Sequence, residues 1–269
     1  VAVSEATVLL ERRDDGVAVL TLNRPAERNA MSAELLDAFA ARVDELGRDR
    51  AVRAVVLTGA GNAFCAGADF TALGDLGARS GVAGPAGGHA ALRSFYAAFL
   101  GIDRLDVPTI AAVNGAAVGG GLGLALLCDL RIVARTAKIG ANFARLGIHS
   151  GLGITRRLPE LVGEERAAEL LFTGALVDGE RAAAIGLALE AVDATEVLPR
   201  ALALASRIAT AAPLAVRHIK RTLRACVRRD LEPVLELEAF AQAMLMQTED
   251  AREGIAAVLG KREPHFKGR

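Results

Sequence analysis

Short apolar runs closed by turn residues alternate with helically spaced apolar positions through the first two-thirds of the chain. Val17-Ala-Val-Leu-Thr-Leu22 runs into Asn23-Arg24-Pro25 and predicts a strand ending in a turn. Leu35, Leu36, Phe39, Val43 and Leu46 share one helical face behind Ser32, a good N-cap, with Glu34 in the first turn. That spacing predicts a helix over 33–48. Further strands are predicted at Ala54–Thr58, stopped by Gly59-Ala-Gly61-Asn62, at Thr109–Val113 and at Leu130–Ala134. A helix opens at Gly119-Gly120-Gly121. The alternation persists to about residue 195 and predicts an α/β layer fold. From about residue 196 the pattern is wholly helical, and a last helix is expected to start at a capping box of Asp250 and Glu253. Ser80–His89 has no periodicity and is expected to be a mobile loop.

The 22 residues from Val107 to Cys128 carry no charge, long enough for a membrane span. They hold five glycines, Pro108 and Asn114, and much of the remainder is alanine, which gains little on insertion. A buried strand, turn and helix is the better reading. The 269-residue chain has 32 basic and 32 acidic side chains, which argues against a dedicated nucleic-acid binder. Hydrophobic residues at 52% argue against disorder. Three widely spaced cysteines (Cys65, Cys128, Cys226) fit a reducing, cytoplasmic compartment. The four histidines are too scattered to read as metal ligands. Val1–Gly16 lacks a basic head followed by an apolar run, so no signal peptide is expected.

Two small-residue turns follow strands: Gly61-Asn-Ala-Phe-Cys-Ala-Gly-Ala-Asp69 and Asn114-Gly-Ala-Ala-Val-Gly-Gly-Gly-Leu-Gly123. The second leads into a helix whose first N–H groups are unpaired and favour negative charge. Neither fits the dinucleotide or Walker glycine patterns, and no Gly-x-Ser-x-Gly elbow occurs. By themselves such turns serve tight packing as readily as ligand binding.

With Leu22-Asn-Arg-Pro25, Asn29-Ala-Met-Ser32, Pro108-Thr-Ile-Ala-Ala-Val-Asn-Gly115, Cys128-Asp-Leu130, Glu249-Asp-Ala-Arg-Glu-Gly254 and Lys261-Arg-Glu-Pro264, these turns recur in a characteristic order. In them the chain resembles the enoyl-CoA hydratase/isomerase, or crotonase, superfamily over nearly its whole length. The resemblance implies a spiral of ββα units over residues 1–195 and a helical region, 196–269, that drives trimers, often paired into hexamers. It implies acyl-CoA or enoyl-CoA thioesters as substrates, with coenzyme A entering as part of the substrate and no permanent cofactor. It places the oxyanion-binding N–H groups at Ala68 and Gly120, the carbonyl of Ala66 near the adenine, and Arg28 near the CoA phosphates. Asp69 then holds the oxyanion loop, and Asp129 ends a helix-to-strand turn. Thr71 stands where hydratases often carry Lys.

The hydratases of this family use two glutamates. At the matching positions this chain has Gly123 and Phe143, and an acid used by dienoyl-CoA isomerases is replaced by Gly151. Conventional hydration is therefore not expected, because each acid–base group contributes about 10²–10⁴-fold. His149 is the expected substitute acid or base, since histidine titrates near neutrality; a structural role competes. Asn142 is read as a cap or a water holder, with Arg145 and Ser150 nearby. His89 and Tyr96 are read mainly as packing or surface residues that could close over an acyl chain. Arg217, Lys220, Arg221, Arg224 and Arg228 line one helical face, which reads as a solvated or subunit-facing stripe or a contact for anions. Phe240, Met244 and Leu245 are read as core or trimer contacts. A non-catalytic acyl-CoA carrier or sensor is the competing function.

Overall fold

A computed structural model describes residues 6–69, 85–227 and 231–265. The described chain opens with an antiparallel pair, β1 (Val8–Arg12) and β2 (Val17–Leu22). Helix α1 (Ala33–Arg48) has the bounds that its periodicity predicts, and the Ser32 hydroxyl accepts from the Leu35 N–H. Three strand–strand–helix units follow. In the first, β3 (Ala54–Gly59) and β4 (Ala63–Cys65) precede α2 (Pro85–Arg104). In the second, β5 (Thr109–Val113) and β6 (Ala116–Val118) precede α3 (Gly120–Leu127). In the third, β7 (Leu130–Ala134) and β8 (Ile139–Gly140) precede a 3-10 turn, Asn142–Leu146, and α4 (Ile154–Val162). Helices α5 (Glu164–Thr173) and α6 (Gly179–Ala184) then lead to β9 (Glu190–Val192).

The first strand of each unit enters a sheet of order β1-β2-β3-β5-β7-β9, and the second enters a smaller sheet, β4-β6-β8. Among the described residues, the pairings between named strands after β1–β2 are parallel. β3 and β5 are buried along their whole lengths, as parallel strands covered on both faces must be. The chain thus winds through successive ββα units, as the family resemblance implies. The uncharged run 107–128 is divided among β5, β6 and the eight-residue α3. Among the described residues no helix is long and apolar enough to cross a membrane.

The C-terminal part is helical throughout: α7 (Val197–Ala209), α8 (Pro213–Val227), α9 (Leu231–Leu245) and α10 (Glu249–Leu259). α7 lies against β3, β5 and β7, and α9 packs along α2. Three local expectations change here. Residues 85–89 of the expected loop are the first turn of α2, while 80–84 lie outside the described residues. Small residues erase the periodicity there because α9 comes close: a Cβ on Gly88 would sit 3.3 Å from that of Ala243. The cap of α10 is Thr248, whose hydroxyl accepts from the Ala251 N–H, while Glu253 pairs with Arg262. Phe240, Met244 and Leu245 are exposed and so do not belong to this chain's core.

Lys220 and Arg224 of the basic stripe on α8 are fastened inward, Arg221 stays at the surface, and Arg228 lies outside the described residues. Lys220 is 5% exposed, with its ammonium 2.6 Å from Asp129 Oδ2, and Arg224 reaches Asp129 Oδ1 at 3.4 Å. Arg221 pairs with Asp106, and Arg217 donates to the Val52 carbonyl. Asp129 also accepts from the Thr109 N–H at 2.8 Å and hydroxyl at 2.9 Å, tying α3, β5 and α8 together. Burial works to raise the Asp129 carboxyl, but Lys220 and Arg224 hold it below its ordinary 3.8. A lowered native pKa contributes stability above the unfolded value, and that contribution is lost as pH falls through the native one. Urea melts should therefore lose midpoint as pH falls below about 4, and Asp129→Asn should flatten that dependence relative to the parent. An unchanged acid slope in the variant would show that the cluster carries no such linkage.

Candidate active site

Met31 bridges the end of the first glycine-rich turn. Its N–H donates to the Gly67 carbonyl at 2.8 Å, and its carbonyl accepts from the Asp69 N–H at 3.2 Å. Amides alternate in direction along extended chain, so the Ala68 N–H between those two groups points away from Met31. Ala68 lines a cavity, together with Ala66, Gly67, Gly119 and Gly120 at the same end.

The second turn brings α3 to the same place. Gly119 adopts φ 57° and ψ −119°, open to a residue without a side chain, and its N–H donates to the Gly140 carbonyl at 2.9 Å. That turn makes Gly120 the first residue of α3, where the amide has no intrahelical acceptor. A Cβ on Gly120 would lie 3.7 Å from the Ala68 nitrogen, and one on Gly67 would lie 3.4 Å from the Gly120 nitrogen. The two amides therefore stand side by side. Among the described residues neither N–H has an acceptor in the chain. α3 is buried from end to end, and its positive N-terminus faces the cavity. At the opposite end the buried Arg131 guanidinium donates to the Cys128 carbonyl at 2.8 Å, complementing the helix dipole. Burial pulls the Arg131 pKa down to about 10.

The other expected residues fall into groups. Ala66 lines the cavity and donates to the carbonyl of Arg28, which is exposed and left-handed at φ 52°. Asn29, fully buried, donates from its side-chain amide to the Ala60 and Ala63 carbonyls at 3.0 and 2.8 Å and so clamps this turn against β4. Asp69 joins the same turn through Met31, and Thr71 lies outside the described residues. Asn142 does not cap its 3-10 turn; its side chain lines the cavity, with Oδ1 3.3 Å from the Cβ position of Gly119. The His149 ring is absent from the cavity wall. Its Nδ1 lies 2.8 Å from the Ser150 carbonyl, so that nitrogen carries the proton. His89 pairs with Glu236 across α2 and α9. Cys65 and Cys128 are buried, and burial pushes both thiols up to about 12, so neither is a ready nucleophile. Among the described residues no three His, Cys, Asp or Glu side chains gather as metal ligands.

The far wall of the cavity comes from two long helices. α2 supplies Leu92, Phe95 and Tyr96, and α9 supplies Gln242. The Tyr96 hydroxyl donates to Gln242 Oε1 at 2.7 Å, and Gln242 Nε2 donates to the His149 carbonyl at 2.9 Å. Four residues earlier, buried Glu238 accepts from the Gly153 and Thr155 N–H groups at 2.7 and 3.0 Å and caps α4. Burial pushes its carboxyl above the ordinary range. Sequence reasoning passed over both Glu238 and Gln242. Their signal is a polar pair at i and i+4 beside Ala239 and Ala243, four positions on one buried stripe.

The chain matches the enoyl-CoA hydratase/isomerase family over residues 12–269. It belongs to that family. It is 36% identical over 260 residues to a crotonyl-CoA hydratase of Syntrophomonas wolfei, covering 96% of this chain and 97% of the relative. Identity to the mitochondrial methylglutaconyl-CoA hydratase of Mus musculus is 35% over 264 residues, covering 96% and 82% respectively. The fold superposes on an enoyl-CoA hydratase/isomerase structure from Pseudoalteromonas atlantica with TM-score 0.85 at 28% identity, covering 97% and 100% of the two chains. An enoyl-CoA hydratase structure from Bacillus anthracis gives 0.75 at 34%, covering 98% and 100%.

Against that enoyl-CoA hydratase/isomerase background, the three positions expected to carry acids are closed by other atoms. A Cβ on Gly123 would fall 2.7 Å from Leu152 Cβ, so a larger residue there meets Leu152 first. Phe143 lines the cavity with its ring edge against Gly119. A Cβ on Gly151 would fall 2.5 Å from the Tyr96 hydroxyl oxygen. Among the described residues no carboxylate lines the cavity, and Tyr96 is its one titratable side chain.

Proposed function

We propose that the protein acts on an enoyl- or acyl-CoA thioester, holding the thioester oxygen between the Ala68 and Gly120 N–H groups and stabilising it as enolate charge develops. The observation that carries this reading is the pair of adjacent amides, without acceptors in the described chain, on two residues that line one cavity. Preorganised donors of this kind matter most when charge appears on the bound oxygen, and the N-terminus of α3 adds to the same field. Ala66 and the exposed Arg28 stand at the same turn and are assigned to the adenine and the phosphates of coenzyme A, where a guanidinium can pair bidentately. Asp69 keeps its role in holding the oxyanion loop. His149 enters through its backbone carbonyl, which orients Gln242, because its ring does not line the cavity. Exposed Phe240, Met244 and Leu245 on α9 support a homotrimer or a dimer of trimers, which sedimentation would test.

The apolar filling of the usual acid positions argues against water activation by a glutamate pair. Crotonyl-CoA hydration should run at least about 10²-fold below that of glutamate-bearing relatives assayed in parallel. A rate equal to theirs would overturn the reading of the acid positions. The same filling favours a second reading, a carrier or sensor that binds the thioester without converting it. A panel of saturated, 2-enoyl, branched and aromatic acyl-CoAs separates the two: a new product mass supports the enzyme, and tight binding without conversion supports the carrier. Failure of every CoA ester to bind would sink both.

A further inference from the structure

Just before α4 the cavity wall runs through Gly151 and Leu152, in a backbone conformation that leucine rarely adopts. Leu152 has φ 58° and Gly153 φ 72°, and the Ile154 N–H donates back to the Gly151 carbonyl at 3.3 Å. A tight turn with positive φ at both central residues is usually built from Asn and Gly. Leucine in the first of those places is sterically disfavoured, so contacts from elsewhere must hold it there. Those contacts come from one helix. On α9, Gln242 Nε2 donates to the His149 carbonyl at 2.9 Å, ahead of the turn. One helical turn earlier, Glu238 accepts from the Gly153 N–H at 2.7 Å and, beyond the turn, from the Thr155 N–H at 3.0 Å and the Thr155 hydroxyl. The span between these anchors has no slack. A Cβ on Gly151 would lie 2.5 Å from the Tyr96 hydroxyl oxygen, and one on Gly123 would lie 2.7 Å from Leu152 Cβ. Each carboxylate oxygen of Glu238 faces a backbone N–H, which can only donate. An ionised carboxylate offers an acceptor to both, whereas an amide would turn its NH2 group against one of them.

Resting on the thioester site proposed above, we infer that Glu238 is a positioning residue that holds the Gly151–Ile154 turn from behind the cavity, so that Leu152 stands against Gly123 as part of the wall gripping the acyl chain. Leu152 lines the cavity and Glu238 does not, so Glu238 reaches the ligand only through the turn it anchors. Gln242 holds the other end of the same span, four residues along the same buried stripe of α9.

The test separates the two halves of the ligand. Binding of free coenzyme A and of hexanoyl-CoA is measured by calorimetry on the full chain, and the ratio of the two affinities gives the acyl chain's share. Glu238→Gln should reduce that ratio by about three- to tenfold, the loss of part of one leucine's apolar contact, while coenzyme A itself binds as in the parent. Glu236→Gln makes the same chemical change at an exposed position on α9 and should leave the ratio as it is. If Glu238→Gln does not fold, Thr155→Val, which removes only the hydroxyl anchor, should reduce the ratio in the same direction by a smaller factor. An unchanged ratio, whether neither affinity moves or both fall together, overturns the positioning role and leaves the thioester site standing. Failure of the parent protein to bind either ligand overturns both.

Discussion

Gly120→Pro should lower kcat/KM by about 10²–10³-fold or more on any acyl-CoA that the parent protein turns over, with the fold retained. Gly120 is the first residue of α3, the one helical position where proline is accommodated because its missing N–H has no intrahelical partner. The substitution therefore removes one proposed oxyanion donor and puts ring carbon in its place, while the α3 hydrogen bonds remain. Loss of one such donor corresponds to about 2.7–4 kcal/mol in other enzymes. Gly120→Ala is the control, because it keeps the N–H and meets first the thioether of Met31 at 3.0 Å, the movable end of a flexible side chain. Steady-state kinetics on all three proteins, with thermal melts alongside, decide the matter. Equal losses in the two variants would assign the effect to packing against Met31, and full activity in Gly120→Pro would remove Gly120 from the oxyanion hole.

Gly121→Ala should have the largest effect on stability. A Cβ at this position would lie 2.0 Å from the Cys65 carbonyl oxygen and 2.8 Å from its carbon. Cys65 ends β4, which is held by β6 in the small sheet, so no side-chain rotation relieves the clash. Either α3 or β4 has to shift, and overpacking of this kind reaches the upper part of its usual range, about 3 kcal/mol. For a chain of this size that corresponds to a fall in melting temperature of about 6–12 °C. The same shift moves the Gly120 amide relative to Ala68, so activity should fall with stability. A melt within a degree or two of the parent would show that the two turns are not packed as described.

Much of the fold is legible along the chain because its causes are local. The apolar runs Val17–Leu22, Thr109–Val113 and Leu130–Ala134 are strands with those bounds. The helix at 33–48 is fixed by one apolar face and the Ser32 cap. The weakest reading fell where local signals oppose tertiary ones. Gly87 and Gly88 argue against a helix, yet α2 passes through them and packs along α9. Asn142 has the composition of a cap, but its side chain lines the cavity instead. Lys220 and Arg224 look like solvated charges on a helix face until Asp129, far away in sequence, is found beneath them.

For the site, the sequence by itself determined the two glycine-rich turns, their places after strands, and the absence of acids at positions 123, 143 and 151. Those are properties of residue identity and short-range spacing. Tertiary structure alone decided what fills the vacated space. Leu152 closes position 123, the Tyr96 hydroxyl lies against Gly151, and Gln242 arrives from a helix more than ninety residues beyond the His149 carbonyl it holds. Contacts across such separations depend on how helices and sheets pack, and packing follows from shape and burial summed over the whole core. The chain reads locally as a frame with its usual carboxylates missing. The folded protein adds a reason: apolar side chains and one buried phenol occupy their place.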